Sequence, residues 1–303
     1  MFEFELSYLE VLIETDLVYS EAELILMHGL IEYEKGAVNL IQMDPKTEDT
    51  HLNPPREFSS KGSRGKLYEK KTFRYDRSFC SIDRRDPNYA DQEDVYEYLG
   101  KDFLNHNFEG YHTCIFAYGQ TGSGKSYSMM GTPEYPGLIP RTCRDLFQRI
   151  DENNSPNVNF TVRVSYFEVY NEHVRDLLAP RRDPPNYLKV RESPTDGPYV
   201  KDLTEVTVRG ISEVLRWMKL GDSSRTVAST KMNDTSSRSH AVFTLVLKQI
   251  EHDMDTDETT ERLARIRWVL CFRCPISVLI EAIAWSILRV PSGRTRLALP
   301  VLV

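Results

Sequence analysis

A glycine-rich run in the first half of the chain constrains the fold more than any other sequence feature. Residues 119–126 read Gly-Gln-Thr-Gly-Ser-Gly-Lys-Ser and fit the pattern G-x-x-x-x-G-K-[ST]. Glycines at this spacing let successive backbone N–H groups converge on phosphate oxygens, the lysine reaches the β- and γ-phosphates, and the last hydroxyl holds Mg²⁺. The run therefore predicts a phosphate-binding loop, with ATP or GTP as the first ligand to consider.

The segments on either side of this loop fit the strand and the helix that it requires. Residues 111–118 form a short, aromatic and β-branched run, which is typical of a buried strand. Residues 126–130 read as a short helix that stops at Gly131. The alternative is a glycine-rich surface turn with an unrelated lysine, and the flanking pattern argues against it.

Apolar periodicity around the loop predicts the alternating helices and strands of an α/β layered fold. Helical spacing of apolar residues begins at Val95, at Cys143 and at Ile211, the last with Gly221 near the end of its helix. Residues 158–166 alternate between apolar and polar side chains, which predicts a strand with one solvated face.

Length, charge and cysteine usage indicate an ordinary globular protein of a reduced compartment. The 303 residues are 40% hydrophobic and carry a net charge of −7, which argues against a general nucleic-acid binder. The five cysteines are scattered, and Cys271 and Cys274 have zinc-like spacing without a second pair. No lysine or arginine precedes Lys35, so the N-terminus lacks the basic start of a secretory signal.

A second polar constellation, at residues 233–240, reads Asn-Asp-Thr-Ser-Ser-Arg-Ser-His and leads into the apolar strand pattern 241–247. Its hydroxyls and arginine suit a segment that wraps a γ-phosphate and its metal ion. The alternative is a Ser/Thr-rich connection whose hydroxyls cap the backbone. The phosphate-binding loop upstream favours the first interpretation.

Seven colinear blocks resemble the kinesin motor domain, most closely the vesicle-transport subfamily called kinesin-three. The resemblance implies a P-loop NTPase-type mixed central sheet between helical layers. It also implies ATP and Mg²⁺ as cofactors, ATP hydrolysis coupled to microtubule binding and movement, and membrane cargo bound only through regions outside this chain. The blocks are residues 108–111, 114–127, 137–141, 164–172, 174–178, 190–192 with 197–203, and 236–240.

The resemblance assigns site residues by position. Lys125, Ser236 and Arg238 would be catalytic, with Ser236 at the γ-phosphate and Arg238 paired with a glutamate of a second switch segment. Ser126 and Ser237 would coordinate Mg²⁺. Nucleotide binding would fall to Gly119, Gln120, Thr121, Gly122, Ser123, Gly124, Lys125, Ser126 and Tyr127.

Both ends of the chain depart from the family pattern, which predicts a truncated motor. Residues 1–32 form an atypical acidic segment, 33–266 a partial kinesin motor domain, and 267–303 a non-family apolar tail. The R-x-R-P strand and the Asp-Leu-Ala-Gly-Ser-Glu second switch of the family do not occur in the sequence. The acidic run 251–261 is expected to be a solvated hairpin loop.

Two functions are compatible with these sequence features. The first is a microtubule-based, ATP-driven motor of the cytoplasm and the microtubule cytoskeleton. The alternative is a nucleotide-binding, non-motile kinesin fragment from a truncated or mis-spliced gene model. Nucleic acid is not expected as a partner of either.

Overall fold

A computed structural model describes residues 24–27, 40–44, 46–53, 70–118, 123–170, 173–180, 186–193, 197–231, 239–271 and 301–302. The strands, β1 to β15 in chain order, are Leu24–Met27, Ile41–Asp44, Asp49–Leu52, Lys71–Arg74, Arg77–Cys80, Thr113–Tyr118, Val158–Tyr170, His173–Asp176, Tyr187–Leu188, Val190–Ser193, Gly197–Val200, Val206–Val208, His240–Asp253, Glu258–Cys271 and Val301–Leu302. The α-helices, α1 to α5, are Gln92–Val95, Lys101–Phe108, Lys125–Met129, Leu138–Glu152 and Ile211–Lys231, and a π-helical turn at Tyr96–Gly100 joins α1 to α2.

The central layer is a ten-stranded mixed sheet with the strand order β5-β1-β15-β6-β14-β13-β7-β8-β9, to which β12 adds by pairing with β7. Neighbours are parallel from β5 to β14 and antiparallel from β14 to β9. Strands β2 to β4 form a separate antiparallel sheet, and β10 pairs with β11. The predicted α/β fold with a mixed central sheet is therefore confirmed.

The long β13–β14 hairpin corrects the expectation that the acidic run 251–261 is a loop. Pairing continues outward to Asp253 opposite Glu258, which leaves only residues 254–257 in the turn. The acids are accommodated by cross-strand ion pairs: Lys248 Nζ lies 2.8 Å from Glu261 Oε2, and Arg262 also pairs with an acid of the facing strand. Opposite charges on facing strand positions stabilise such pairing.

Strand β14 crosses the boundary that the sequence places after Ile266. Its pairing with β6 continues to Cys271 opposite Tyr118, and Trp268 is 1% exposed. From Ala264 to Leu270, every second side chain of this strand is buried in the main hydrophobic cluster, as the period-two geometry of a strand requires, and the series is Ala264, Ile266, Trp268 and Leu270. The first residues of the predicted apolar tail are thus part of the sheet.

Helix α5 does not end near Gly221, contrary to the expectation from its sequence. It continues through Lys231, and Gly221 lies where the helix packs against β7. A Cβ atom at this position would overlap the ring of Tyr166, whose hydroxyl donates a 2.8 Å hydrogen bond to Asp222. The glycine therefore permits close helix–sheet contact rather than ending the helix. Among the described helices, none has the length and apolarity needed to cross a membrane.

This close contact predicts that Gly221→Ala destabilises the fold. Overpacking against a fixed ring outweighs the better helix propensity of alanine, so we expect a loss of about 1–2 kcal/mol in the free energy of unfolding. Urea unfolding measures it. Gly210→Ala is the matched control, because a Cβ there meets no atom within 4 Å. Equal stability of the two variants would contradict the packing argument.

His112 is buried beside two arginines at the start of β6. The backbone N–H of Arg265 donates a 3.2 Å hydrogen bond to its Nδ1 atom, which a protonated ring could not accept. Burial, with the charges of Arg265 and Arg267, lowers the pKa of His112 to about 4. The imidazole is therefore neutral in the folded protein at physiological pH.

A buried neutral histidine makes stability fall with acidification. The unfolded chain protonates near the ordinary pKa of 6.5 and the folded chain only near about 4, so the stabilisation is present above pH 6.5 and is lost between these values. We expect this group to account for a loss of about 3 kcal/mol across that window. Unfolding free energies from pH 7 to 4 should have a smaller slope in His112→Asn, in which a side-chain oxygen can still accept the Arg265 hydrogen bond. An unchanged slope would contradict this origin.

Candidate functional site

The site lies at one edge of the central sheet, where the carboxyl ends of three parallel strands meet. β6 is parallel to β14, and β7 is antiparallel to β13, which is antiparallel to β14, so β6, β14 and β7 all end at this edge. One cross-strand row runs through Ala117, Leu270, Ala241, Glu168 and Arg175. Ligands of α/β sheets bind outside the carboxyl ends of the strands.

The predicted phosphate-binding loop leaves the sheet at this edge. β6 ends at Tyr118 and α3 begins at Lys125, while residues 119–122 lie outside the described residues. Gly124, immediately before the helix, has φ 98° in the left-handed region. Side chains other than glycine rarely adopt this conformation, which explains the last glycine of the motif.

Lys125 is the first residue of α3 and is only 3% exposed. Its ammonium lies 3.4 Å from the hydroxyl of Ser123, to which it donates a hydrogen bond. Ser126, next in the chain, is exposed. Ser128 anchors the turn by donating a 3.3 Å hydrogen bond to the carbonyl of Gly124. A fixed cation and an accessible hydroxyl thus stand side by side at the start of the helix.

Tyr127 completes the part of the motif that the structure describes. Its backbone carbonyl accepts a 2.7 Å hydrogen bond from Nε2 of Gln92, which ties α3 to α1. Burial raises the pKa of the Tyr127 phenol, and the nearby Tyr89 acts in the same direction. The half-buried phenol is therefore neutral at physiological pH.

The second predicted constellation is described only at its end. Ser236, Ser237 and Arg238 lie outside the described residues, whereas Ser239 and His240 are buried where β13 starts. β13 begins at the same edge at which β6 ends. The topology therefore brings the chain that follows Arg238 to the same edge of the sheet as Lys125.

Sequence reasoning missed a charged residue at this edge. Glu168 lies on β7, whose inward-facing residues at alternate positions are Val162, Val164 and Tyr166, and it continues that series. It is 5% exposed and pairs with Arg175. A charged residue at a core-facing position of a strand indicates a buried, paired charge, and this pattern is visible in the sequence.

One described hydroxyl at this edge is of the kind that ligates a magnesium ion carried by a nucleotide. No group of three or more His, Cys, Asp or Glu side chains suited to a metal ion occurs in the described part of the chain. Mg²⁺ commonly takes one or two protein oxygens and completes its shell with substrate phosphates and waters. The exposed hydroxyl of Ser126, one residue after the buried lysine, meets that requirement.

A surface cleft of about 350 Å³ lies at the opposite edge of the sheet, where β7 begins. It is lined by Phe108, Arg149, Glu152, Asn153, Phe160 and Gln249. The Arg149 guanidinium lies 5.6 Å from the centre of the Phe108 ring. The cleft is separated from the phosphate-binding loop by the length of the strands.

Comparison with known proteins places this chain in a family. The model of the kinesin motor domain matches residues 34–269. Kinesin-like protein unc-104 of Caenorhabditis elegans is 52% identical over 201 residues, which are 65% of this chain and 13% of the relative. Kinesin-like protein KIF1A of Rattus norvegicus is 48% identical over 243 residues, which are 78% of this chain and 13% of the relative. The chain therefore belongs to the kinesin motor domain family.

Solved kinesin structures share the fold. A segment of KIF14 with ADP in complex with a microtubule gives a TM-score of 0.73 at 36% identity, covering 89% of this chain and 75% of that one. A fast kinesin gives a TM-score of 0.66 at 31% identity, covering 82% of this chain and 64% of that one. The mixed sheet between helices is thus the kinesin form of the P-loop fold, and the family match extends three residues beyond Ile266.

Proposed function

We propose that this chain is the nucleotide-binding part of an ATP-driven microtubule motor of the kinesin-three type. The observation that carries the proposal is the strand–loop–helix unit at the carboxyl edge of the sheet, with Gly124 in the left-handed region and Lys125 buried at the start of α3. The match of the kinesin motor domain to residues 34–269 supports it. The curated relatives are far longer than this chain, so activity and partners of a whole motor remain part of the proposal.

The predicted site residues other than Arg238 have the following roles in this proposal. Backbone N–H groups of residues 119–124 hold the phosphates, and the ammonium of Lys125 neutralises charge on the β- and γ-phosphates. Ser126 and Ser237 coordinate Mg²⁺, and Ser236 contacts the γ-phosphate. Tyr127 is the last residue of the run proposed to bind the nucleotide.

Microtubules are the partner that this function requires. The KIF14 structures are complexes with microtubules, one with ADP and one with AMP-PNP, and they share 36% identity with this chain. The proposed location is the microtubule cytoskeleton of the cytoplasm. Membrane cargo would be bound by parts of the protein outside this chain.

Nucleotide binding is tested by Lys125→Ala. Loss of a charge-assisted contact worth about 1.5–3 kcal/mol should weaken binding of a fluorescent ATP analogue by about 10- to 100-fold. Lys101→Ala is the control, because that lysine is half-exposed in α2 and pairs with Glu97. Circular dichroism verifies that both variants fold. Unaltered binding in Lys125→Ala would exclude the assigned role.

The family match does not favour the non-motile alternative. That alternative rests on the absence of the family's second-switch pattern from the sequence, in which residues 267–303 contain no aspartate. In-line attack on a γ-phosphate needs a group that orients the water. Phosphate release by the purified chain, measured with and without microtubules, separates the two candidates. We expect microtubules to accelerate release from a motor domain, with Lys125→Ala as the inactive control. Nucleotide binding without any acceleration would instead support the non-motile module.

A further inference from the structure

The buried carboxylate of Glu168 connects three separate parts of the chain. Its Oε1 atom lies 2.6 Å from Nη2 of Arg175 on β8. Its Oε2 atom accepts a 3.4 Å hydrogen bond from the hydroxyl of Ser239 and lies 3.8 Å from Nε of Arg225 on α5. Strand, helix and the start of β13 therefore meet at one carboxylate.

Arg225 reinforces the same junction. Its Nη2 donates to the carbonyl of Ser239 at 2.9 Å and to the Ser239 hydroxyl at 3.3 Å. The Ser239 hydroxyl thus accepts a hydrogen bond from the guanidinium and donates one to Glu168. Removing the charge of Glu168 therefore affects both Ser239 and Arg225. Arg175 adds a 3.4 Å hydrogen bond to the carbonyl of Ser224, the residue before Arg225.

This glutamate–arginine cluster (Glu168, Arg175, Arg225 and Ser239) lies next to the segment that carries the predicted γ-phosphate residues. Ser239 directly follows Arg238, and Arg225 lies in the helix that leads towards Ser236. The cluster therefore holds the chain on both sides of the segment that carries the residues assigned to the γ-phosphate and Mg²⁺.

We propose that Glu168 is a positioning residue for the γ-phosphate side of the nucleotide site, acting through Ser239 and Arg225. The inference rests on the proposed function, because it needs a bound nucleotide. Glu168 touches no nucleotide itself. Its effect falls mainly on the γ-phosphate contact of Ser236, which ADP lacks, whereas the α- and β-phosphates, common to both nucleotides, are held by the loop after β6.

The carboxylate of Glu168 balances the charge of two arginines in this cluster. Two guanidinium groups approach one acid that is 7% exposed in its side chain, while the Arg225 side chain is 11% exposed. Removing one member of a buried ion pair leaves the remaining charge uncompensated. Neutralising Glu168 therefore frees Arg225 from the carboxylate and takes the acceptor charge from Ser239.

The test measures selectivity between nucleotides. Equilibrium dissociation constants for ADP and for a non-hydrolysable imido analogue of ATP, both with Mg²⁺, are determined for the whole chain and for Glu168→Gln. We expect binding of the analogue to weaken about tenfold more than binding of ADP, because only the analogue has the γ-phosphate that Ser236 contacts. Glu168→Asp should restore part of the selectivity because it restores the charge.

Two further variants make the result specific. Glu205→Gln is the matched control: it makes the same substitution in an ion pair with Arg163, at 2.8 Å, in which both side chains are more than a third exposed. Ser239→Ala removes the hydroxyl that Glu168 binds, and it should lower selectivity in the same direction. It also carries the test if Glu168→Gln does not fold.

The outcomes separate this inference from the proposed function. Equal weakening of ADP and the analogue, or no change in either, would overturn the positioning role and leave nucleotide binding intact. A chain that binds neither nucleotide before any substitution would overturn the proposed function, and the positioning role with it.

Discussion

The pairing of β14 with two different neighbours is the interaction on which the rest of the structure depends. On one side it joins β13 through a long antiparallel hairpin, and on the other it joins β6 in parallel. The parallel and antiparallel halves of the sheet are connected only through this strand within the order that the described strands form. Its inward side chains, including the almost fully buried Trp268, also fill the core beneath the helices.

This pairing sets the direction of every strand at the site. Because β6, β14 and β7 point the same way, the phosphate-binding loop, the end of β7 and the start of β13 share one edge. With strands about 4.8 Å apart, the three steps from Ala117 to Glu168 span about 14 Å. That distance is short enough for both ends of the row to act on one nucleotide.

Much of the fold could be predicted from local sequence patterns, and the predictions that were wrong have local causes. The strand before the loop at 119–126 and the helix after it follow from the context that the motif requires, and the alternation along β7 follows from strand geometry. The prediction that α5 ends near Gly221 was wrong because the sequence does not distinguish a glycine that ends a helix from one that leaves room for a neighbouring ring. The hairpin acids were misleading because their partners, such as Lys248, lie on the facing strand. Glu168 was missed although its strand position marked it.

The two buried charges explain why this edge of the sheet is a functional edge rather than a well-packed one. Among the charged side chains that the structure describes, Lys125 and Glu168 are the lysine and the acid with almost no exposure. Burial raises the pKa of Glu168, against the effect of the two arginines, so its burial opposes part of the stabilisation that the arginines give the carboxylate. Apolar residues of similar volume are often more stable than buried ion pairs. Packing alone therefore gives no reason to place both charges at the carboxyl ends of β6 and β7, whereas the proposed nucleotide site does.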